Sequence, residues 1–287
     1  MRSRLEQVGA TFVTGFHAAL ECEPTRDLPD ELARVDLELR GFAFEGAAMG
    51  LALLDRLTPW PANRVRQFLR GAGDAHTYMV HVGVGWMWAR MPFGFRWAQR
   101  KLDPLRGWLA LDGWGFHEGF FHGEKYSSGG EPPRQLAGYE CRVFDQGFGR
   151  SLWFSHGGNV ELITQTVSNF SYARRADLWS GLGLAATYAG GADESTLAAL
   201  RERSGAHRAQ LAQGAAFAAK ARLRTGNSTA YTDFATRALC DLPADEAARL
   251  TDASLENLPA DAAEPAYEIW RCRIQSHFAP RRQLHEI

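Results

Sequence analysis

The sequence predicts an all-α protein, an internally duplicated helical bundle whose central helices carry stripes of glycine. Ala, Leu, Arg and Glu recur at helical spacing through most of the chain, whereas alternating runs of β-branched residues are scarce. A dipeptide of Glu or Gln followed by Gly recurs in several of the helical stretches. Helices are expected near 5–21, 43–57, 62–70, 75–91, 100–110, 113–126, 140–155, 159–169, 174–189, 194–204, 207–224, 229–240, 244–256 and 263–278.

Turn-forming residues separate these stretches in order along the chain. The second helix stops at "LTPWPAN", the sixth at "SSGGEPPR" and the seventh at "SHGGN". Further on, "YAGGADES" and "RTGN" end the ninth and eleventh helices, and "NLPADAAEP" precedes the last. Gly, Pro, Asn and Ser interrupt helical hydrogen bonding or favour turns, so each cluster predicts a helix end.

Composition restricts the class of protein. The 287 residues are 45% hydrophobic, enough for a substantial core, and the formal net charge of -1 disfavours nucleic acid as a partner. The four cysteines lie far apart without a CxxC pair, which predicts neither a zinc site nor disulfides. No signal segment and no long uncharged apolar run is present, so we expect a soluble cytoplasmic protein.

The recurring dipeptide predicts a duplication. It occurs at Glu45-Gly46, Glu118-Gly119, Gln146-Gly147 and Gln213-Gly214, each followed four residues after the glycine by Gly50, Gly123, Ser151 or Ala218. Spacings of 101 residues from the first to the third copy and 95 from the second to the fourth suggest two halves meeting near a pseudo-twofold axis. The predicted parts of this single domain are an N-terminal helical cap (1–40), a first half (41–138), a second half (139–240) and C-terminal helices (241–287).

Glycine inside a helix is less stable than alanine by roughly 0.5 to 1 kcal/mol, so a stripe of glycines needs a compensating gain. Close approach of a neighbouring backbone or a bulky ring is the favoured interpretation, and a cavity wall with room for a ligand is the alternative. Carboxylates beside the stripe, at Glu45 and Glu118, need a partner. The second half has glutamine at both matching positions, so a catalytic role predicts that only the glutamate half is active.

Candidate acid–base residues concentrate in the stretch "GFHEGFFHGEKY". Its His117 and His122 are five positions apart, about 140° around a helix, so they do not match the HExxH pattern and no metal is predicted. His81 would face Glu118 if their helices pack as a pair, although a core or surface histidine with one satisfied nitrogen is the favoured interpretation. The catalytic candidates are Glu118, His122, His117, His81, Glu45 and Asp112.

Aromatic side chains predict a binding cavity. Eleven of the chain's 33 aromatic residues lie between Tyr78 and Phe121, which as a group suggests a pocket for a flat or extended apolar ligand, although packing alone explains any single ring. The ligand-binding candidates are Tyr78, Trp86, Trp114, Phe120, Phe121, Gln146, Arg150 and Gln213. No nucleophile elbow or phosphate-binding loop is present, so no cofactor is predicted.

Basic residues are interleaved with the same aromatics, at Arg90, Arg96, Arg100, Lys101 and Arg106. They form either a solvated face or a surface that receives an acidic carrier protein or contacts a membrane.

Seven phrases, in order, carry a resemblance over nearly the whole chain: "LRGFAFEGAAMGLALLD", "YMVHVGVGWMWARMP", "LALDGWGFHEGFFH", "FDQGFGRSLWF", "DLWSGLGLAATYAGG", "LAQGAAFAAKAR" and "AEPAYEIWRCRIQSHF". They resemble the UnbL-like proteins, an uncharacterised-domain family encoded in bacterial enediyne polyketide gene clusters. The resemblance implies antibiotic biosynthesis, in which an enediyne core is made from a linear polyene. It supplies a substrate class, a conjugated rod-like hydrocarbon, and no catalytic residues.

Three hypotheses of function follow. The first is an enzyme, or a subunit of one, that binds a polyene or polyketide intermediate in an aromatic-lined cavity and helps convert it to the enediyne core. The second is a non-catalytic polyene carrier or chaperone, and the third is a helical adaptor without a ligand. Other enediyne-core biosynthetic proteins and a second copy of the chain are the expected protein partners.

Overall fold

The computed structural model describes residues 1–23, 26–58, 63–259 and 264–279. These residues form helices and no strands, which confirms the all-α prediction. The α-helices are α1 (Arg2–Glu21), α2 (Leu28–Ala33), α3 (Arg40–Leu57), α4 (Arg64–Arg70), α5 (Thr77–Arg90), α6 (Phe95–Gln99), α7 (Leu109–Phe121), α8 (Gly123–Tyr126), α9 (Tyr139–Ser155), α10 (Val160–Ser168), α11 (Tyr172–Ala189), α12 (Glu194–Ser204), α13 (Arg208–Arg224), α14 (Ala230–Cys240), α15 (Ala244–Ala253) and α16 (Ala266–Phe278). Two short 3-10 helices cover Arg106–Trp108 and Gly205–His207.

The predicted helix 100–110 is wrong, and the short helices α2 and α6 were not predicted. Asp103 precedes a proline, which disfavours helical backbone at Asp103. Its carboxylate instead accepts hydrogen bonds from the backbone N–H groups of Leu105 and Arg106, at 3.0 and 2.6 Å. The chain therefore turns here, and α7 begins only at Leu109.

Seven long helices form the frame: α1, α3, α5, α7, α9, α11 and α13, each packed on the next. Neighbours run in the same direction, and the α1–α3 contact shows this. Gly46 faces Phe12, while Gly50, one turn later, faces Phe16 and Ala19. Because neighbouring long helices are parallel, the chain needs a segment that returns from the end of one to the start of the next. Between α3 and α13, each of these return segments contains one short helix: α4, α6, α8, α10 or α12.

A Gly-x-Gly sequence occurs in each of four adjacent helices, at 83–85 in α5, 113–115 in α7, 147–149 in α9 and 181–183 in α11. Residues two apart lie about 200° apart around a helix, so one glycine meets the preceding helix and the other meets the following one. A Cβ atom at Gly147 would lie 1.8 Å from the Asp112 carbonyl oxygen, and one at Gly149 would lie 2.1 Å from that of Leu178. The glycines therefore allow backbone-to-backbone approach, and a spacing of two serves neighbours on both sides.

The sequence predicted that each contact glycine is followed four residues later by a second small residue on the same helix face. This spacing describes only some of the glycine contacts. Gly119 meets the side chain of Ser151 on α9. Gly123, its predicted partner on the stripe, lies beyond the end of α7, and only the hydroxyl oxygen of Ser127, four residues later, lies near its Cβ position, at 3.9 Å. The predicted boundary between halves falls between α8 and α9, yet α7 and α9 pack through the same glycine contacts as helices within one half. The division into halves remains a prediction.

The row of helices curves back on itself. Buried Arg222 of α13 donates to the carbonyl oxygens of Glu38 and Tyr188, both at 2.6 Å, which ties α13 to the segment before α3 and to α11. The Tyr188 ring packs edge-on against Phe42 of α3. Helices α14, α15 and α16 pack on α13. The inward faces of α3 to α13 therefore share one interior.

We predict that Gly147→Ala destabilises the protein by at least about 2 kcal/mol, because the new Cβ would overlap a backbone carbonyl that cannot move without displacing α7. Gly9→Ala in α1 is the matched control. No atom lies within 4 Å of its Cβ position, so the change should be neutral or stabilising by up to about 1 kcal/mol. Denaturant unfolding measures both, and equal stability of the two variants would contradict the glycine-contact explanation.

Candidate functional site

A cluster of charged side chains lies inside the ring of helices. Arg150 of α9 forms an ion pair with the carboxylate of Asp112 on α7 and lies 4.0 Å from that of Glu45 on α3. Gln146, one turn before Arg150, donates to Asp112 at 2.7 Å, and Trp86 Nε1 donates to Glu45 Oε1 at 2.9 Å. All five side chains are buried. The sequence predicted each as a site residue, and the packing of α3, α5, α7 and α9 brings them together.

The cluster holds two carboxylates for one cation. Burial alone would lower the pKa of Arg150, but attraction to Asp112 and Glu45 raises it above its ordinary value. Asp112 takes the direct ion pair and the amide of Gln146. Glu45 lies farther from Arg150 and accepts one hydrogen bond, from the Trp86 indole. Burial therefore dominates and raises the pKa of Glu45 to about 7. Glu45 therefore exchanges its proton near neutral pH.

A cavity of about 580 Å³ opens beside this cluster, between α1, α3, α5, α7 and α9. Its walls are largely apolar, and its floor includes Glu45 and Arg150. At the outer end, Phe120 and Phe121 are 44% and 56% exposed. The other lining residues are Arg2, Leu5, Glu6, Val8, Gly9, Phe12, Val13, Phe42, Trp86, Phe116, Phe154, Ser155 and Gly157.

The catalytic candidates of the stretch "GFHEGFFHGEKY" lie elsewhere. Glu118 accepts a hydrogen bond from Tyr126 at 2.8 Å, and His117 Nδ1 lies 3.6 Å from its other oxygen. Burial acts to raise the pKa of Glu118, but His117, Tyr126 and the nearby His122 together outweigh it, and the pKa lies below its ordinary value. His122 is not in α7, since its backbone (φ -130°, ψ 28°) ends that helix. Glu118 and His122 line a separate surface groove of about 700 Å³.

Phe120 and Phe121 separate the cavity from that groove, because both rings line both spaces. The acid–base candidates thus form two sets, Glu45 with Asp112 on one side and Glu118 with His117 and His122 on the other. Only the first set has a carboxylate lining a mainly apolar space.

The other candidates have structural surroundings. His81 Nδ1 lies 2.7 Å from the Thr77 carbonyl oxygen, and the described residues include no contact of His81 with Glu118. Trp114 packs edge-on against Phe95. Tyr78 borders a small inner cavity of about 30 Å³.

Gln213 belongs to a second buried network. Ser180 donates to its side-chain oxygen at 2.8 Å. Buried Arg271 of α16 lies beside it and donates to Asp177 at 2.7 Å and to Glu268 at 3.1 Å. Arg142 pairs with the same two carboxylates, at 3.0 and 2.8 Å, so two guanidinium groups balance two carboxylates. This balance suits a structural ion-pair network, and Gln213 does not border the large cavity.

Sequence reasoning missed the contribution of α1. This helix was assigned to a cap, yet Leu5, Val8 and Phe12 form one wall of the cavity. A signal was present, since Gly15 of α1 meets the backbone of Ala43 and implies close packing on α3. Within the described part of the chain, no group of three or more His, Cys, Asp or Glu side chains is placed to hold a metal ion.

Residues 1–278 match the model of a family described as protein of unknown function (DUF1702). The chain belongs to the DUF1702 family. No curated protein and no solved structure matches this DUF1702 chain. None of the helices in the described ranges is both long and apolar enough to cross a membrane. The family description names no activity, so the geometry of the cavity is the guide to function.

We predict that Glu45→Gln changes how stability depends on pH. The folded state binds the Glu45 proton more tightly than the unfolded chain, so the wild-type free energy of unfolding loses a contribution as the pH rises from about 4.5 to about 7. The variant lacks this loss, and its stability relative to wild type should rise by about 3 kcal/mol across that window. Denaturant unfolding at several pH values measures the difference.

Glu118→Gln is the control, because a lowered pKa confines its effect to acid pH, where the stabilisation by the carboxylate is lost as the pH falls. A constant difference between Glu45→Gln and wild type from pH 4.5 to pH 7 would show that Glu45 is ionised throughout.

Proposed function

We propose that this DUF1702 protein binds an extended apolar small molecule in the cavity between α1 and α9, with a polar end of the ligand at Glu45 and Arg150. One observation carries the proposal: a largely apolar space of about 580 Å³ has a buried carboxyl group at its floor. Such a volume lies within the usual range of small-molecule sites, which are mainly apolar with a few placed polar groups.

The hydrogen bonding of Glu45 is the reason to expect a ligand with a polar end. Its Oε1 accepts from Trp86, and no described residue hydrogen-bonds to its Oε2. Glu45 lines the cavity, so a ligand hydroxyl group would donate to its carboxylate, and the protonated carboxyl group would donate to a ligand carbonyl oxygen. At the other end, the partly exposed rings of Phe120 and Phe121 provide an apolar mouth.

We further propose that the ligand is a linear polyene or polyketide intermediate and that the protein serves enediyne core biosynthesis in the cytoplasm, together with other proteins of that pathway. The resemblance to UnbL-like proteins motivates the pathway. The aromatic walls motivate the substrate, because Phe42, Trp86 and Phe116 offer ring faces and edges to a conjugated chain.

The catalytic form of the proposal is a proton shift along the polyene. The Glu45 carboxylate removes a proton from one carbon, leaving an extended anion that the Arg150 guanidinium stabilises at a carbonyl end. The same carboxyl group returns the proton to a different carbon. Bonds and protons balance without an oxidant, and a pKa of about 7 suits both transfers.

The alternative is a non-catalytic carrier with the same cavity. Its support is the position of Glu118 and His122, which lie beyond Phe120 and Phe121 and outside the cavity. A helical adaptor without a ligand would leave the cavity and its buried acid without a role.

We predict that a fluorescent conjugated fatty acid, parinaric acid, binds in the cavity, and that Gly9→Phe weakens its binding at least about tenfold. Gly9 lines the cavity and no atom lies within 4 Å of its Cβ position, so we expect the phenyl ring to occupy part of the cavity. Thr14→Phe is the control, since it places the same ring on an exposed position of α1. Equal affinities of the two variants would place the binding site elsewhere.

Complementation separates enzyme from carrier. In a strain that lacks the gene, we expect Glu45→Gln to bind parinaric acid like wild type but to restore little enediyne production, because glutamine keeps the shape and loses the transferable proton. The double variant Glu118→Gln, His122→Ala should restore production fully. Full restoration by Glu45→Gln would exclude the proton shift and leave the carrier.

A further inference from the structure

A second surface combines projecting aromatic rings with positive charge. Phe93 is 80% exposed and Trp97 is 64% exposed, on the turn before α6 and on α6 itself. Gly94 between them adopts φ +73°, a left-handed conformation that sets the turn. Phe93 has no ring partner among the described residues, so neither packing nor the ligand cavity explains why these two rings face solvent.

Three cations that line a groove with these rings have no acidic partner among the described residues, whereas Arg96 of α6 pairs with Glu140. Arg56, Arg66 and Lys101 are exposed and line the same groove as Phe93 and Trp97. None of the three forms an ion pair within the described residues, and Lys101 Nζ lies 3.3 Å from the centre of the Trp97 ring.

Asp55, the one acid among the described residues that line this groove, is already engaged. Asp55 accepts hydrogen bonds from the backbone N–H groups of Arg64 and Val65, at 2.9 and 3.1 Å. Arg64 also pairs with Asp55, so this carboxylate does not neutralise the other cations. The face is therefore net positive.

We propose that this face, which we call the α6 face, binds the surface of an anionic phospholipid bilayer, with Phe93 and Trp97 inserted at the level of the headgroups. Aromatic rings favour the membrane–water interface, and unpaired Lys and Arg side chains are attracted to anionic lipids. Projecting rings enter a fluid headgroup layer without a matching pocket, whereas an acidic protein partner would need pockets shaped to receive them. This inference does not depend on the ligand cavity.

Vesicle sedimentation of the full chain tests the proposal. We expect binding to vesicles of phosphatidylcholine with about 30% phosphatidylglycerol, weakened by salt, and little binding to phosphatidylcholine alone. The double variant Phe93→Ser, Trp97→Ser should reduce binding at least about tenfold, and so should the double charge variant Arg56→Glu, Lys101→Glu. Because these side chains are exposed, circular dichroism should show unchanged folding.

Two control variants make the same kinds of substitution at exposed positions outside the α6 face. Leu162→Ser, Tyr172→Ser removes two exposed apolar side chains, and Arg208→Glu, Arg249→Glu reverses two exposed charges. Both should bind like wild type. No binding by wild type, or undiminished binding by the Phe93, Trp97 variant, would overturn the proposal. Retention on immobilised polyglutamate without vesicle binding would also overturn it and assign the face to an acidic protein.

Discussion

The close approach of parallel helix backbones at glycine is the constraint on which the structure depends. At each Gly-x-Gly the carbonyl of a neighbouring helix occupies the place of a side chain, as the Asp112 carbonyl does at Gly147. When two helices pack this closely, the rotation of each helix about its axis and its register along the neighbouring helix are largely fixed. The residue before the glycine is then directed to the interior. Glu45, Asp112, Gln146, Ser180 and Gln213 all precede a glycine that meets a backbone carbonyl of the neighbouring helix, and all are buried.

This arrangement fixes where polar groups meet. Because adjacent helices repeat the same contact, the polar residues of neighbouring helices come level with one another, and Gln146 reaches Asp112 as Ser180 reaches Gln213. Most of them are satisfied within the interior. Glu45 differs because the next helix, α5, supplies only the Trp86 indole at this level. An incompletely balanced acid beside an apolar cavity is the chemical consequence of that gap.

The sequence predicted the polar–glycine pattern and most of the side chains that meet inside, but not the complete set of copies. Asp112-Gly113 and Ser180-Gly181 follow the same pattern with shorter side chains, so a search for Glu or Gln passed over them. His122 was misplaced because α7 ends at Phe121, and helix ends are the least reliable feature of a pattern. The α1 wall was missed because it depends on how the row of helices curves, which local periodicity does not encode.

Helix α5 lies between the cavity and the α6 face, and different electrostatic conditions apply to these two surfaces. Trp86 faces the cavity, whereas Met87 and Trp88 line the groove of the α6 face. The proposed ligand binding near Glu45 would take place in a buried site, where salt screens charges little and the titrating group changes its charge near neutral pH. The proposed membrane contact of the α6 face would depend on exposed arginine and lysine, which keep their charge at neutral pH but are screened within about 10 Å at 0.1 M salt. Sensitivity to pH would therefore identify binding in the cavity, and sensitivity to salt would identify binding on the α6 face.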